Sequence, residues 1–447
     1  MHTFLRVLMA AGLMVWPMVC DGEAQTFTSP PGSTRGLFGG DVAPNSARSS
    51  QQLAAWFDLG GGYDDNADTS EVPVGTNLDG YARTVAAGFR YWRGRTTRSL
   101  EATGRYFRNV EFAAGGAFDG GELNVTGNLA TGQRGAVTLA LHAANDSAQL
   151  FGAFGPDFGR PGDVIDDEIP VSDVSPPSGV ADQRWFSLGG VVTGYRNWTP
   201  RQRTDVQYTQ IRRRPIDGDG VYSATGQATL RHEWRVGPRT GVLFSYSYDR
   251  VGQEFGEVLD SPPIQSQTAD AGFRYEYRLS PIRMVQFSLT AGATYVLPVS
   301  APLARVPGNV EPTASAIATY TLTQRWALSA NASRRVTVLA GIALEPFAND
   351  LVSVSVTGLI ARRTTLVISG EISRGLALGL APGSFDAQSA AVTLQYGFRH
   401  GGVFAGYSHY EHQLRDLLGS PDTIPLGFRR HSVRGGITLY LPLYGAF

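Results

Sequence analysis

Few side chains in this 447-residue chain are placed for chemistry. Beyond its first residues the histidines are His142, His232, His400, His409, His412 and His431. Ser408 and His409 are adjacent, but in an alternating stretch neighbouring residues point to opposite faces, so they cannot form a nucleophile–base dyad there. His409-Tyr410-Glu411-His412 offers metal-binding side chains, yet a metal site would need ligands converging from other segments. Asp163-Val164-Ile165-Asp166-Asp167-Glu168 gathers the carboxylates that hard cations want, without the glycine-centred spacing of calcium loops. It reads as a solvated acidic loop. The chain is therefore expected to have no catalytic residue, cofactor or metal, and an enzyme is disfavoured.

Charge at regular spacing is the better signal. Arg203 and Asp205, Arg231 and Glu233, Asp249, and Arg274, Glu276 and Arg278 fall on the polar positions of successive alternating stretches. If those positions line an interior, these eight are its candidate pore-lining residues. The mixture of signs leaves two readings open: the charges satisfy one another across strands, or they select a solute. A one-signed arginine ladder is not what the chain shows, so no anion preference follows.

The elements that must carry these residues are strands. In 268–279, Ala269, Ala271, Phe273, Tyr275 and Tyr277 alternate with Asp270, Arg274, Glu276 and Arg278. In 284–295, Val285, Phe287, Leu289, Ala291, Ala293 and Tyr295 alternate with Gln286, Ser288, Thr290 and Thr294. The same two-residue period marks half-buried strands from Gln51 to Phe447. Short connections recur at Arg93–Thr97, Thr131–Gly135, Trp198–Gln202, Arg235–Arg239, Leu279–Arg283, Thr323–Arg325, Ala361–Thr364 and Arg399–Gly402. Longer ones lie between them, such as Asp64–Gly80, Ala144–Asp182, Val251–Ser266, Val296–Glu311 and Leu414–Leu426. Tight turns on one edge and long loops on the other describe an all-β, up-and-down antiparallel transmembrane barrel. About eighteen strands are expected, with sixteen as the alternative if phase slips near Ile211 and through Val403–Gln413 merge strands.

Charge and ring chemistry follow the same rhythm. Every short connection named above carries an arginine and none carries an acid, whereas the long ones hold Asp64, Asp65, Asp68, Glu71 and Asp79. Tyr91, Trp92, Tyr195, Trp198, Trp234, Tyr277 and Trp326 crowd the strand ends near the short turns, as aromatic girdles do at headgroup level. The chain has no lysine, so its 38 cationic side chains are all arginine. A formal net charge of −1 supplies no basic footprint for nucleic acid.

Residues 1–24 have the form of a secretory signal: Arg6, an apolar core over Val7–Val19, and Gly22-Glu23-Ala24 for cleavage after Ala24. Cleavage would remove Cys20, the only cysteine, and Pro17-Met18-Val19 lacks the small residue that precedes a lipidated cysteine. Residues 25–50, rich in Pro, Gly and Ser, read as a flexible periplasmic lead-in, and 51–447 as one outer-membrane barrel. At the far end Ile437, Leu439, Leu441, Leu443 and Phe447 share one face. That strand resembles the C-terminal targeting strand of bacterial outer-membrane proteins, which makes Phe447 the candidate signal for the barrel-assembly machinery. Pro442 departs from the pattern and needs a strand end or bulge.

The opening segment Leu53–Asn66, with Gly61-Gly62-Tyr63-Asp64-Asp65-Asn66, resembles that of β-barrel porins of unassigned substrate from Gram-negative bacteria. The resemblance implies an outer-membrane barrel and, because such barrels are often encoded beside exopolysaccharide export systems, an envelope or polysaccharide context. It carries over no catalytic residues. The expected function is a porin-like channel in outer-membrane lipid, with passive or export-associated passage of small solutes or saccharides. The alternative is a plugged structural or adhesive barrel whose acidic loops bind surface partners or divalent cations.

Overall fold

In a computed structural model of the chain, the described residues are 50–64, 80–95, 97–111, 117–132, 134–147, 184–215, 221–255, 259–280, 282–300, 305–306, 308–323, 325–338, 346–378, 383–398, 401–415 and 427–444. The signal segment, most of the lead-in, the Asp163–Glu168 cluster, His400 and Phe447 lie outside them.

The strands are β1 (Ser50–Asp64), β2 (Gly80–Arg95), β3 (Arg98–Glu111), β4 (Ala117–Ala130), β5 (Gly135–Ser147), β6 (Arg184–Thr199), β7 (Gln202–Pro215), β8 (Val221–Arg235), β9 (Thr240–Phe255) and β10 (Leu259–Ser280). They continue as β11 (Arg283–Val296), β12 (Val299–Ser300), β13 (Arg305–Val306), β14 (Asn309–Thr323), β15 (Trp326–Val338), β16 (Pro346–Ala361), β17 (Thr364–Ala377), β18 (Ser384–Phe398), β19 (Gly401–Arg415) and β20 (Gly427–Tyr444). β12 and β13 form a separate two-stranded ribbon; the other strands make one 18-stranded antiparallel sheet. Each main strand pairs with the next, and β20 pairs with β1 over Ala54–Asp64, closing the barrel. Closure is what a membrane demands, because an open edge in hydrocarbon leaves N–H and C=O groups unpaired.

Eighteen, not sixteen, is the strand count. The expected slip at Ile211 is not a break: β6 and β7 stay in register past it, pairing Gly189 with Ile211 and Leu188 with Arg212. Ile211 is an apolar residue on the interior side. The disturbed alternation of β19 has the same origin, since Phe404 and Tyr410 take interior positions in an unbroken ladder.

The eight short connections join β2–β3, β4–β5, β6–β7, β8–β9, β10–β11, β14–β15, β16–β17 and β18–β19, all at one rim. Gly132, with φ of 88°, sits in the one between β4 and β5, a backbone region that disfavours other residues. At the opposite rim one expectation shrinks. The long connection at Val251–Ser266 is mostly strand, because β9 runs to Phe255 and β10 starts at Leu259. Pro262 and Pro263 have no N–H for the ladder, and the register shifts between Ser261 and Ile264 to pass them. Pro442 is accommodated in the same way, with a shift between Leu53 and Ala54 beside it.

The outer wall is apolar. Leu188, Phe244, Ile372 and Leu441 are 52%, 50%, 63% and 59% exposed and point away from the barrel axis with many others of their kind. Such a continuous belt is costly in water and matches hydrocarbon. Trp198, Trp234 and Tyr277 edge it near the short turns, with the Arg196 guanidinium 4.5 Å from the Trp198 ring and Arg239 4.7 Å from Tyr277. Trp92 and Tyr195, expected in this girdle, instead face the interior, because each lies one residue out of phase with the outward set. Near the other rim the belt ends in ion pairs, Arg334–Asp350 at 3.1 Å and Arg374–Asp386 at 2.7 Å.

Candidate functional site

The interior wall is where polar chemistry gathers, since the pleat sends one residue in two to each side. On β7, Val206 and Tyr208 point outward, so Arg203 and Asp205 point inward; Leu230 and Trp234 place Arg231 and Glu233 inward on β8. Phe244 and Tyr246 do the same for Asp249 on β9, and Phe273 and Tyr275 for Arg274, Glu276 and Arg278 on β10. All eight charged candidates therefore share the interior side.

They divide into two groups. Seven lie toward the short-turn rim and are mostly paired. Arg203 donates from Nε and Nη2 to Asp205 Oδ1 at 2.8 and 2.7 Å, and its guanidinium carbon is 4.4 Å from the Tyr195 ring centroid. Glu233 is buried and receives Arg235 at 3.5 Å and Arg274 at 3.8 Å. Arg278 reaches Glu276 at 3.4 Å. Arg231 stands in register between Asp205 and Ser245, exposed to the interior. It forms no ion pair among the described residues.

Asp249 belongs elsewhere. It lines a cavity of 310 Å³ toward the long-loop rim, bounded by β8, β9, β10, β11, β14 and β15 and by Pro346 at the start of β16. Its walls carry Gln227, Thr268, Asp270, Thr313 and Arg335 beside Asp249. Thr313 Oγ1 donates to Asp270 Oδ1 at 2.6 Å, and Thr268 and Thr294 share a hydrogen bond of 2.6 Å. The volume falls at the small end of ligand sites, roughly 300–1,000 Å³. Hydroxyls and carboxylates from separate strands converge there, an arrangement suited to hydrogen-bonding a hydroxylated solute. Sequence reasoning had placed Asp270 on a polar face without singling it out, and passed over Arg335. The signal was the run of Ser and Thr at interior positions of β9 to β15, which in one dimension looks like ordinary polar filler.

Among the described residues the histidines assemble no site. Ser408 and His409 fall on opposite sides of β19, His409 facing outward against His431 with ring centroids 4.5 Å apart, and His412 inward and buried. Among the described residues no group of three or more His, Cys, Asp or Glu side chains could hold a metal ion.

No protein-family model matches the sequence. No curated protein matches it either. Solved structures do resemble it in fold. OccK2 (OpdF) of Pseudomonas aeruginosa is 10% identical over 89% of this chain and 100% of that chain, with a TM-score of 0.46. OccK5 (OpdH) of the same organism is 10% identical over 88% and 99%, with a TM-score of 0.43. OccAB3 of Acinetobacter baumannii is 11% identical over 88% and 99%, also at 0.43.

Proposed function

We propose that this chain is an outer-membrane channel of the porin type, giving small solutes or saccharides passive or export-associated passage. One observation carries the reading: a closed 18-stranded barrel whose outer wall is apolar and whose inner wall bears arginines, carboxylates and hydroxyls. Barrels of about 16–18 strands are wide enough to hold an aqueous channel. A polar inner wall serves water and solutes, and an apolar outer wall serves lipid. Export across the inner membrane would come from the signal at 1–24, and insertion from the barrel-assembly machinery reading the last strand. The resemblance of the opening segment adds an envelope or polysaccharide context.

The test is conductance. Purified barrel, refolded in detergent and shown by heat-modifiable gel migration to be folded, is added to planar lipid bilayers. Steady open currents are expected. A folded protein that inserts and stays silent would overturn the channel and leave the plugged structural barrel.

A further inference from the structure

The interior wall differs from one side to the other. β20, β1, β2 and β3 are neighbours that straddle the closing seam, and their interior positions carry Tyr440, Trp56, Trp92 and Phe107. Phe404 follows on β19. Four of these rings lie over glycines. A Cβ built on Gly88 would stand 2.3 Å from Trp56 Cζ2, one on Gly94 2.4 Å from Trp92 Cζ2, one on Gly120 2.2 Å from Phe107 Cζ, and one on Gly436 2.6 Å from Phe404 Cε1. Glycine within a strand often marks such a close approach. All five rings are half-buried on the interior wall. Phe347 and Phe385 differ: they pack edge to face at 5.5 Å, with 0% and 1% exposure, and present nothing.

Polar groups flank the panel. Arg90 pairs with Glu101 at 2.7 Å, and Arg90 and Gln52 line a small hollow with Trp92 and Tyr440. The Arg105 guanidinium stands 5.7 Å from the Trp56 ring centroid and 5.4 Å from that of Phe107. Half a circuit away, β8 to β15 carry the hydroxyl-lined cavity around Asp249 and Asp270.

A pyranose has the same division, with apolar C–H faces and a rim of hydroxyls that need hydrogen-bond partners. Inorganic ions need no ring faces, and purely apolar solutes need no hydroxyls or carboxylates. Resting on the channel reading above, we infer that the lumen selects saccharides, with pyranose rings stacking on the Trp56–Tyr440–Trp92 panel and their hydroxyls meeting Gln52, Arg90 and Glu101 beside it.

The experiment uses the refolded full-length mature chain in planar bilayers, with maltohexaose as a neutral oligosaccharide probe and mannitol as the osmotic control. Maltohexaose should produce brief current blockages whose frequency rises with concentration, and mannitol should not. Trp56→Ala and Trp92→Ala should each weaken the blocking affinity by about tenfold, as loss of an aromatic contact does. Trp56→Phe, which keeps a ring over Gly88, should retain most of it. Heat-modifiable migration establishes that each variant is folded, and tryptophan fluorescence of the wild type should change as maltohexaose is added. Open currents with no blockage would overturn the aromatic site and leave the channel standing. Blockage unchanged in both alanine variants would likewise overturn it. Absence of any current from folded wild type would overturn the channel and the site together.

Discussion

Glu233 on β8 reaches Arg274 on β10 by passing over the intervening strand at Gly241, with Glu233 Oε2 3.8 Å from Arg274 Nη1. A Cβ on Gly241 would lie 3.2 Å from Glu233 Oε1, so the glycine leaves the space the carboxylate occupies. The same carboxylate also receives Arg235 at 3.5 Å. One buried acid thus offsets two arginines on the interior wall, while Arg231 nearby stays exposed.

That asymmetry ranks the interior charges by their effect on ion selectivity. Arg231→Ser should shift the reversal potential toward cation preference more than Arg274→Ser, whose charge Glu233 already offsets. Glu233→Gln should shift it the other way, because Arg274 and Arg235 are then uncompensated. All three shifts should grow at low salt, where screening is weak. Equal shifts from Arg231 and Arg274 would show that the Glu233 contact does not operate in the conducting protein.

The outward face of β10 gives a second test. Phe273 pairs in register with Leu289 and Val242, is 41% exposed, and lies 5.8 Å from the Phe287 ring. Phe273→Arg should impair assembly, since arginine near the bilayer midplane costs about 2–4 kcal/mol. Arg274→Ser, one residue away but facing inward, should assemble normally. Heat-modifiable, membrane-inserted protein is the readout for both.

Closure of the barrel can be read by crosslinking. Phe57 and Leu439 are register partners on the outward side of β1 and β20, while Thr438 points inward. In a chain carrying Cys20→Ser, Phe57→Cys with Leu439→Cys should form a disulfide on oxidation, because directly opposed residues sit about 4.5–5.5 Å apart at Cα. Phe57→Cys with Thr438→Cys should not. A crosslink in the second pair alone would place the seam one residue out of register.

The proposed targeting role of the last strand can be tested at its final residue. Ile437, Leu439, Leu441 and Leu443 form its outward face, and the sequence carries the same period to Phe447. Deleting Phe447, or replacing it with Asp, should leave the exported chain unassembled in the periplasm. Wild-type amounts of inserted barrel from the deletion would remove Phe447 from the signal.

By itself the sequence determined which residues share a face, because a two-residue period is local and needs no partner to define it. Arg231 with Glu233, and Arg274 with Glu276 and Arg278, were therefore legible as one-sided sets. The up-and-down order of strands followed from the alternation of short and long connections, but their number stayed open between eighteen and sixteen. Local phase could not tell whether Ile211, Phe404 or Tyr410 marked a break or an interior apolar position; cross-strand pairing decided that. It also turned Trp92 and Tyr195 inward, out of the girdle that their place near the turns had suggested. Which residues meet across space was decided only by closure and register. Gly241 lets Glu233 skip a strand, and pairing β1 with β20 brings Trp56 beside Tyr440, 384 positions away in the chain. The same closure sets that aromatic panel opposite the cavity of Asp249, Asp270 and Arg335. Those relationships depend on how far each strand is displaced along its neighbours, summed around the whole ring, and no single segment of the chain encodes that sum.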